Sequence, residues 1–225
     1  VYPLMLAREL ISDIVSALKT SDTGTQALSW MEVFRIKHLP IVNQRDFLGL
    51  ISDADIYDLN NPDEPVGNHS LSLEKPYVRE DQHIYEVIEM LSRMELTLVP
   101  VLDYEDHYLG VITQEELTQH FAHLTALQQP GGILELEMHE HDYSLAEISQ
   151  IVESNNARIL SLYVSSNGER SKLRVTLKIN LTDLTSVMET FNRYNYTVVS
   201  SHLNDDDLDE FYQERFDVFL KYLNT

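Results

Sequence analysis

A repeat fixes the plan of the first half of this chain. The stretch "HLPIVNQRDFLGLISDADI", residues 38–56, returns as "LVPVLDYEDHYLGVITQEEL", residues 98–117. Pro40 answers to Pro100 at an offset of 60, while Gly49, Ser52 and Asp55 answer to Gly110, Thr113 and Glu116 at 61, so the second copy carries one more turn residue. The stretch ahead of each copy repeats as well. Ala27, Leu28, Met31 and Phe34 recur at helical spacing, and Val87, Ile88, Leu91 and Met94 match them 60 residues on. Each expected helix is followed by a strand ("LPIV", "VPVL"), a turn, a second strand ("FLGLIS", "YLGVIT") and a helix ("DADIYDL", "QEELTQHFAHL"). With the extended stretches "DIVSAL" and "PYVRE" in front, each copy reads β-α-β-β-α, over residues 1–67 and 68–126. Between them, "NNPDEPVGNHS" carries the breaker residues of a loop.

The periodicity changes after "LQQPGG", residues 127–132. "GILELEMHE" alternates as a strand, and "YSLAEISQIVESNNA" is a helix whose apolar face is Leu145, Ile148, Ile151 and Val152. "RILSLYVSS" and "KLRVTLKIN" read as strands joined through "NGER"; a second helix, "LTDLTSVMETFNRYN", and a last strand, "YTVVSSHL", complete the series. That order over residues 131–203 is βαββαβ, the ferredoxin-like arrangement, and the chain as a whole is of the α+β class. The remainder, residues 204–225, is acidic and then helical, with Leu208, Tyr212, Phe216, Phe219 and Leu223 along one stripe.

Charge narrows the partners. A net charge of -21 over 225 residues repels nucleic acid and anionic membrane surfaces, although a few local donors can still hold a small phosphate. Without cysteine there are no disulfides or thiolate metal sites. No apolar run is long enough to span a membrane, and "VYPLMLAREL" lacks the basic start of a signal peptide, so a cytoplasmic location is expected.

The residues with chemical meaning sit where a strand becomes a helix. Ser52-x-x-Asp55 and Thr113-x-x-Glu116 each place a hydroxyl and a carboxylate three apart. Two readings are open. A capping box satisfies the first amides of the helix and explains both pairs. Alternatively the carboxylate accepts the two hydroxyls of a ribose while the helix N-terminus faces a phosphate. Aspartate suits that clamp better than the longer glutamate, so the first copy is the favoured site. There Leu39, Pro40 and Ile41 would form an apolar slot for a flat base, with Ile14 or Leu18 as its far wall and Gly49 leaving room. Val99, Pro100 and Val101 are the counterparts in the weaker second site. Lys37, His38 and Arg45 near the first motif, and Arg79 and Arg93 in the second copy, are the candidate phosphate partners. Glu137, His139 and His141 have the chemistry to hold a divalent metal, but solvent-facing strand positions explain them as well, and the expected set of metal ligands is empty. No P-loop, dinucleotide fingerprint or Gly-x-Ser-x-Gly occurs, and no catalytic residue is assigned; a non-enzyme is expected.

The two copies resemble a tandem pair of CBS domains, on "HLPIV" with "LGLISDAD" and "LVPVL" with "LGVITQEE", over roughly residues 8–124. Residues 131–203 look like an ACT-type domain, with Tyr143 and Ser144 standing where that family's first loop carries Pro-Gly. A CBS pair followed by an ACT-like domain is similar to the bacterial acetoin-utilisation B type of accessory protein. The resemblance implies a regulatory protein whose CBS pair binds AMP, ADP, ATP or a related metabolite as a regulatory ligand, with no required cofactor. It signals through the ACT-like domain to a protein partner not identified by sequence. The rival reading is a ligand-free interaction scaffold in which both motifs are structural only.

The resemblance also implies a homodimer, and the apolar strands "YTVVSSHL" and "GILELEMHE" agree, because an unpaired apolar edge invites aggregation. Light scattering at micromolar concentration is expected to report a dimer; a monomer overturns it. Deletion of residues 205–225 then assigns the tail, since an unchanged dimer places that stripe on its own subunit.

Overall fold

The structure is a computed structural model and describes residues 5–69, 74–166 and 171–202. They form two compact units, divided between His120 and Phe121. The expected "NGER" turn and the acidic tail helix, residues 204–225, lie outside the described residues.

In the first unit the repeat holds down to single hydrogen bonds. Helix α1 (Gly24–Phe34) opens with a capping box: the Thr23 hydroxyl accepts from the Gln26 amide, and the Gln26 side chain accepts from the Thr23 amide. Helix α3 (Ile84–Arg93) opens the same way with His83 and Glu86. Both are followed by a residue in the left-handed region, Arg35 at φ 55° and Glu95 at φ 54°. Strands β1 (His38–Asn43) and β2 (Asp46–Ser52) pair antiparallel, Pro40 opposite Leu50 and Ile41 opposite Gly49. Strands β4 (Leu98–Leu102) and β5 (Tyr108–Thr113) repeat that register, with Pro100 opposite Val111 and Val101 opposite Gly110, and both pairs break register at the next residue. Helices α2 (Asp53–Tyr57) and α4 (Gln114–Leu124) follow directly. Ahead of the second copy, β3 (Val78–Arg79) runs parallel to β4. The expected strand "DIVSAL" is reduced to one bridge, Leu18 to Ile41, sixty residues before Val78 to Val101.

The helix stripes read from the sequence face the core. Ala27, Met31, Val87 and Leu91 are buried, and Leu28, Phe34, Ile88 and Met94 pack against them. One apolar cluster runs through both copies, and each fully buried Leu or Ile in it contributes roughly 1.5–3 kcal/mol. The copies are tied by exchanged segments. Ser12, ahead of copy one, donates its amide to Val111 O of copy two at 2.8 Å, and Leu50 of copy one donates to Glu74 O, ahead of copy two, at 2.9 Å.

The second unit has the order β6 (Gly132–His139), α5 (Leu145–Ser154), β7 (Ile159–Ser166), β8 (Lys172–Ile179), α6 (Thr185–Arg193) and β9 (Thr197–His202). Its sheet runs β7-β8-β6-β9 with every neighbouring pair antiparallel. Alternation along β6 sends Leu134, Leu136 and Met138 into the core, where they share a cluster with Ile148, Ile151 and Val152 of α5 and Val187 and Phe191 of α6. Leu145 departs from the expected stripe. It opens α5 as its first residue and is exposed, while Ile148, Ile151 and Val152 are buried.

Gly110 reports on the exchange of segments. A methyl group there would stand 2.4 Å from Ile11 Cγ2, in the segment that crosses to β5. Gly110→Ala is expected to cost about 1–3 kcal/mol, as overpacking does. Urea denaturation checks it, and Ile11→Ala in the same chain should recover part of the loss.

Candidate functional site

Both hydroxyl–carboxylate pairs fold into helix caps. Ser52 is the N-cap of α2; its amide and hydroxyl donate to Asp55 Oδ2 at 2.8 and 2.7 Å, and the Asp55 amide donates back to Ser52 Oγ at 3.1 Å. In the second copy the Thr113 amide and hydroxyl donate to Glu116 Oε2 at 3.3 and 3.1 Å, and the Glu116 amide donates to Thr113 Oγ1 at 3.3 Å. The short strand-to-helix junction produces this in each copy, since the hydroxyl leaves the strand where the first helical amides need an acceptor.

A cleft of about 480 Å³ opens at the second pair. Thr113, Glu115 and Glu116 line one side of it. Ile14 and Val15 come from the leading segment, and Val33, Phe34, Arg35 and Ile36 from the end of α1. Ile14 and Val33 are 70% and 71% exposed, so their apolar surface is open to solvent. The cleft thus joins an apolar wall from copy one to the polar motif of copy two. Ser52 and Asp55 lie outside it.

Several sequence expectations change in this light. Ile14, expected to wall the first site, belongs with the second, because its segment crosses to β5. Leu18 is fully buried and bridges to Ile41. Leu39, Pro40, Ile41, Gly49, Val99, Pro100 and Val101 are all buried, the hairpins being covered on both faces. Among the expected cations, Arg93 pairs with Glu89 at 2.8 Å. Arg79 donates to the Asp103 carbonyl and pairs with Asp106 at 2.5 Å. Lys37 and Arg45 are exposed; His38 contacts Thr97. Arg35, which sequence reasoning missed, is the cation lining the cleft. Its only local sign is the left-handed turn after α1, and nothing in the sequence links it to Thr113.

The second unit has a cavity of about 540 Å³ between the end of β6 and the turn before β9. Glu137 there pairs with Lys172 at 3.0 Å, and Tyr196 donates its hydroxyl to Glu147 at 2.6 Å. Burial, then this carboxylate, pushes the Tyr196 hydroxyl pKa up. The rings of His139 and His141 stack at 5.4 Å, but Glu137 is turned to Lys172 and no shared metal position forms from the three. Asp103, Glu105 and His107 do converge, in the β4–β5 turn. Burial opposes ionisation of Asp103, and the amides of His107 and Glu105 outweigh it and hold its carboxyl below the usual range. These bonds account for the cluster as a turn.

Residues 70–123 match the family model for the CBS domain. The matched segment contains β3 to β5, most of α4 and the second hydroxyl–carboxylate pair. Inosine-5'-monophosphate dehydrogenase of Methanocaldococcus jannaschii is 24% identical over 129 residues, 57% of this chain; the match spans about a quarter, 26%, of that relative's length. Among solved structures, a CBS domain pair/ACT domain protein from Thermotoga maritima is similar at 19% identity, covering 53% of this chain and 98% of the other, with a TM-score of 0.47. CBSX2 in complex with AMP is similar at 19% identity, covering 55% and 96%, with a TM-score of 0.44. The cytosolic domain of the Mg2+ channel MgtE in complex with ATP gives 21% identity, 53% and 50%, and 0.44. No helix among the described residues is long and apolar enough to cross a membrane.

Ser52→Ala is expected to lower stability by about 1 kcal/mol in urea denaturation, as the loss of an N-cap does. Thr113→Ala should cost at least as much, because the threonine is buried and its loss also leaves a small void.

Proposed function

We propose that the first unit is a regulatory CBS pair that binds an adenine nucleoside or nucleotide, and that the second unit is a ferredoxin-like, ACT-type domain that pairs two copies of the chain and passes the signal to a protein partner. The observation that carries the ligand reading is the cleft at Thr113 and Glu116. Its apolar wall of Ile14, Val15, Val33 and Ile36 suits a flat base, while Glu116 and Arg35 on the same lining would hold the ribose hydroxyls and a phosphate. One arginine beside Glu115 and Glu116 favours a nucleoside or monophosphate over a triphosphate, whose added charge would need Mg²⁺. Ser52 and Asp55, favoured on the sequence, lie outside this cleft and are proposed as a further site by repetition of the motif. AMP and ATP accompany two of the similar structures, and this chain's own cleft is what favours the same class of ligand.

Ligand occupancy would act by favouring one arrangement of the copies over another, since the cleft takes residues from both. No catalytic step is assigned. A second reading, the ligand-free scaffold, is favoured by the closed capping boxes at both motifs, which leave neither carboxylate dependent on a ligand.

Thermal denaturation with AMP, ADP and ATP separates the two. Ligand at about 100 times its Kd stabilises by roughly 2.7 kcal/mol, an easily read rise in Tm. Ile14→Trp, at an exposed wall position, and Arg35→Ala are expected to remove the AMP-dependent rise while leaving the ligand-free Tm nearly unchanged. No rise with any adenine compound at millimolar concentration overturns the ligand reading and leaves the scaffold. A rise abolished by Asp55→Ala alone transfers the site to the first motif.

A further inference from the structure

The two copies meet at a contact that the repeat does not explain. Lys37 precedes β1 and His38 opens it, and their counterparts ahead of and in β4 are Thr97 and Leu98. The Lys37 amide donates to Thr97 Oγ1 at 3.0 Å. Thr97 Oγ1 lies 3.0 Å from His38 Nδ1, and the Thr97 amide donates to the same nitrogen at 3.3 Å. A nitrogen that accepts from a backbone amide carries no proton, so this geometry requires neutral His38 with its hydrogen on Nε2. The threonine hydroxyl can then donate to Nδ1 while accepting from Lys37, so the Lys37 amide and both donors of Thr97 are satisfied.

We infer that His38 and Thr97 form a proton-operated latch between the two copies, closed when His38 is neutral and opened when it is protonated. A proton on Nδ1 points at the Thr97 amide hydrogen, so that bond is lost and a half-buried amide is left facing a cation. The imidazolium has another place to go. Asp53 and Asp55 on α2 are the acids that act on His38; Lys37, just ahead of its strand, repels it, and Thr97 from the other copy carries no charge. Protonation therefore moves the attraction of His38 from Thr97 towards the carboxylates of the first motif. Thr97 also lines the cleft at Thr113 and Glu116, and its carbonyl accepts from the Gln114 amide at the start of α4 at 3.2 Å. One imidazole is thus coupled to both hydroxyl–carboxylate motifs, by charge to Asp55 on one side and through its bonds to Thr97 on the other. Acid would loosen the wall of the cleft, and this part rests on the ligand reading above.

The sign of the effect follows from the site. Burial lowers the His38 pKa from the ordinary 6.5, Asp53 and Asp55 oppose this, and burial prevails. The unfolded chain then binds the proton more readily than the folded one. Stability conferred by the latch is full above the ordinary histidine value and is lost as pH falls through it towards the lower folded value.

Histidine NMR titration of the whole ligand-free chain tests this directly. His38 is expected to titrate below 6.5, with the Thr97 and Gln114 amide shifts following the same midpoint. Asparagine offers Oδ1 as an acceptor near the place of Nδ1 and does not titrate. His38→Asn should therefore keep the Tm at pH 7.5 and lose less Tm than the natural chain between pH 7.5 and 5.5. His38→Ala should lower the Tm at pH 7.5, where the latch is closed. A His38 midpoint at or above 6.5, Thr97 and Gln114 amides that ignore it, or equal pH dependence of Tm in natural chain and His38→Asn overturns the latch. AMP titration at both pH values is a separate arm. Absence of binding at either pH removes the nucleotide reading while the NMR midpoints still decide the latch.

Discussion

The first unit depends on two backbone hydrogen bonds that join each copy to the segment in front of the other. The Ser12 amide donates to the Val111 carbonyl, and the Leu50 amide donates to the Glu74 carbonyl. Each hairpin would otherwise present an edge of unpaired amides and carbonyls, which is costly when buried and an invitation to aggregation when exposed. Exchange of leaders covers both edges at once. It also closes one apolar cluster across the copies, so neither copy has a complete core without its neighbour.

The same exchange composes the cleft. The leader that brings Ser12 to Val111 carries Ile14 and Val15 past the start of α4, and the end of α1 brings Arg35 and Ile36 to the same place. A pocket built this way takes its apolar wall from one copy and its polar motif from the other. Movement of one copy against the other changes the distance between that wall and that motif. That is the physical basis on which a ligand in such a cleft would favour one arrangement, because differential contact with the two arrangements is what shifts a population.

Duplication gives each copy equivalent backbone, and later divergence decides what each site can do. The capping pairs keep hydroxyl and acid in both copies, since either acid serves a helix start. Lys37 and Thr97 differ because they meet near the junction of the copies, where one residue of each kind faces a neighbour of the other kind. His38 and its counterpart Leu98 differ for the same reason: Leu98 is fully buried, while His38 finds acceptor work at Thr97.

The sequence by itself determined the elements. Period-3.6 stripes located α1 and α3, alternation located β6, and the offsets of 60 and 61 predicted matching hairpins down to the extra turn residue. These are local consequences of side-chain periodicity and of which residues accept helix starts and turns. It also located both hydroxyl–carboxylate pairs and left their two readings open. Tertiary structure alone decided which segments exchange, and so decided that Ile14 belongs beside Thr113 rather than Ser52, that Leu39 and Ile41 are core, and that Arg35 faces the cleft. No periodicity records those facts, because they arise from pairing between distant segments, Leu50 with Glu74 and Ser12 with Val111, where the free energy of covering an exposed strand edge outweighs what any local pattern prefers.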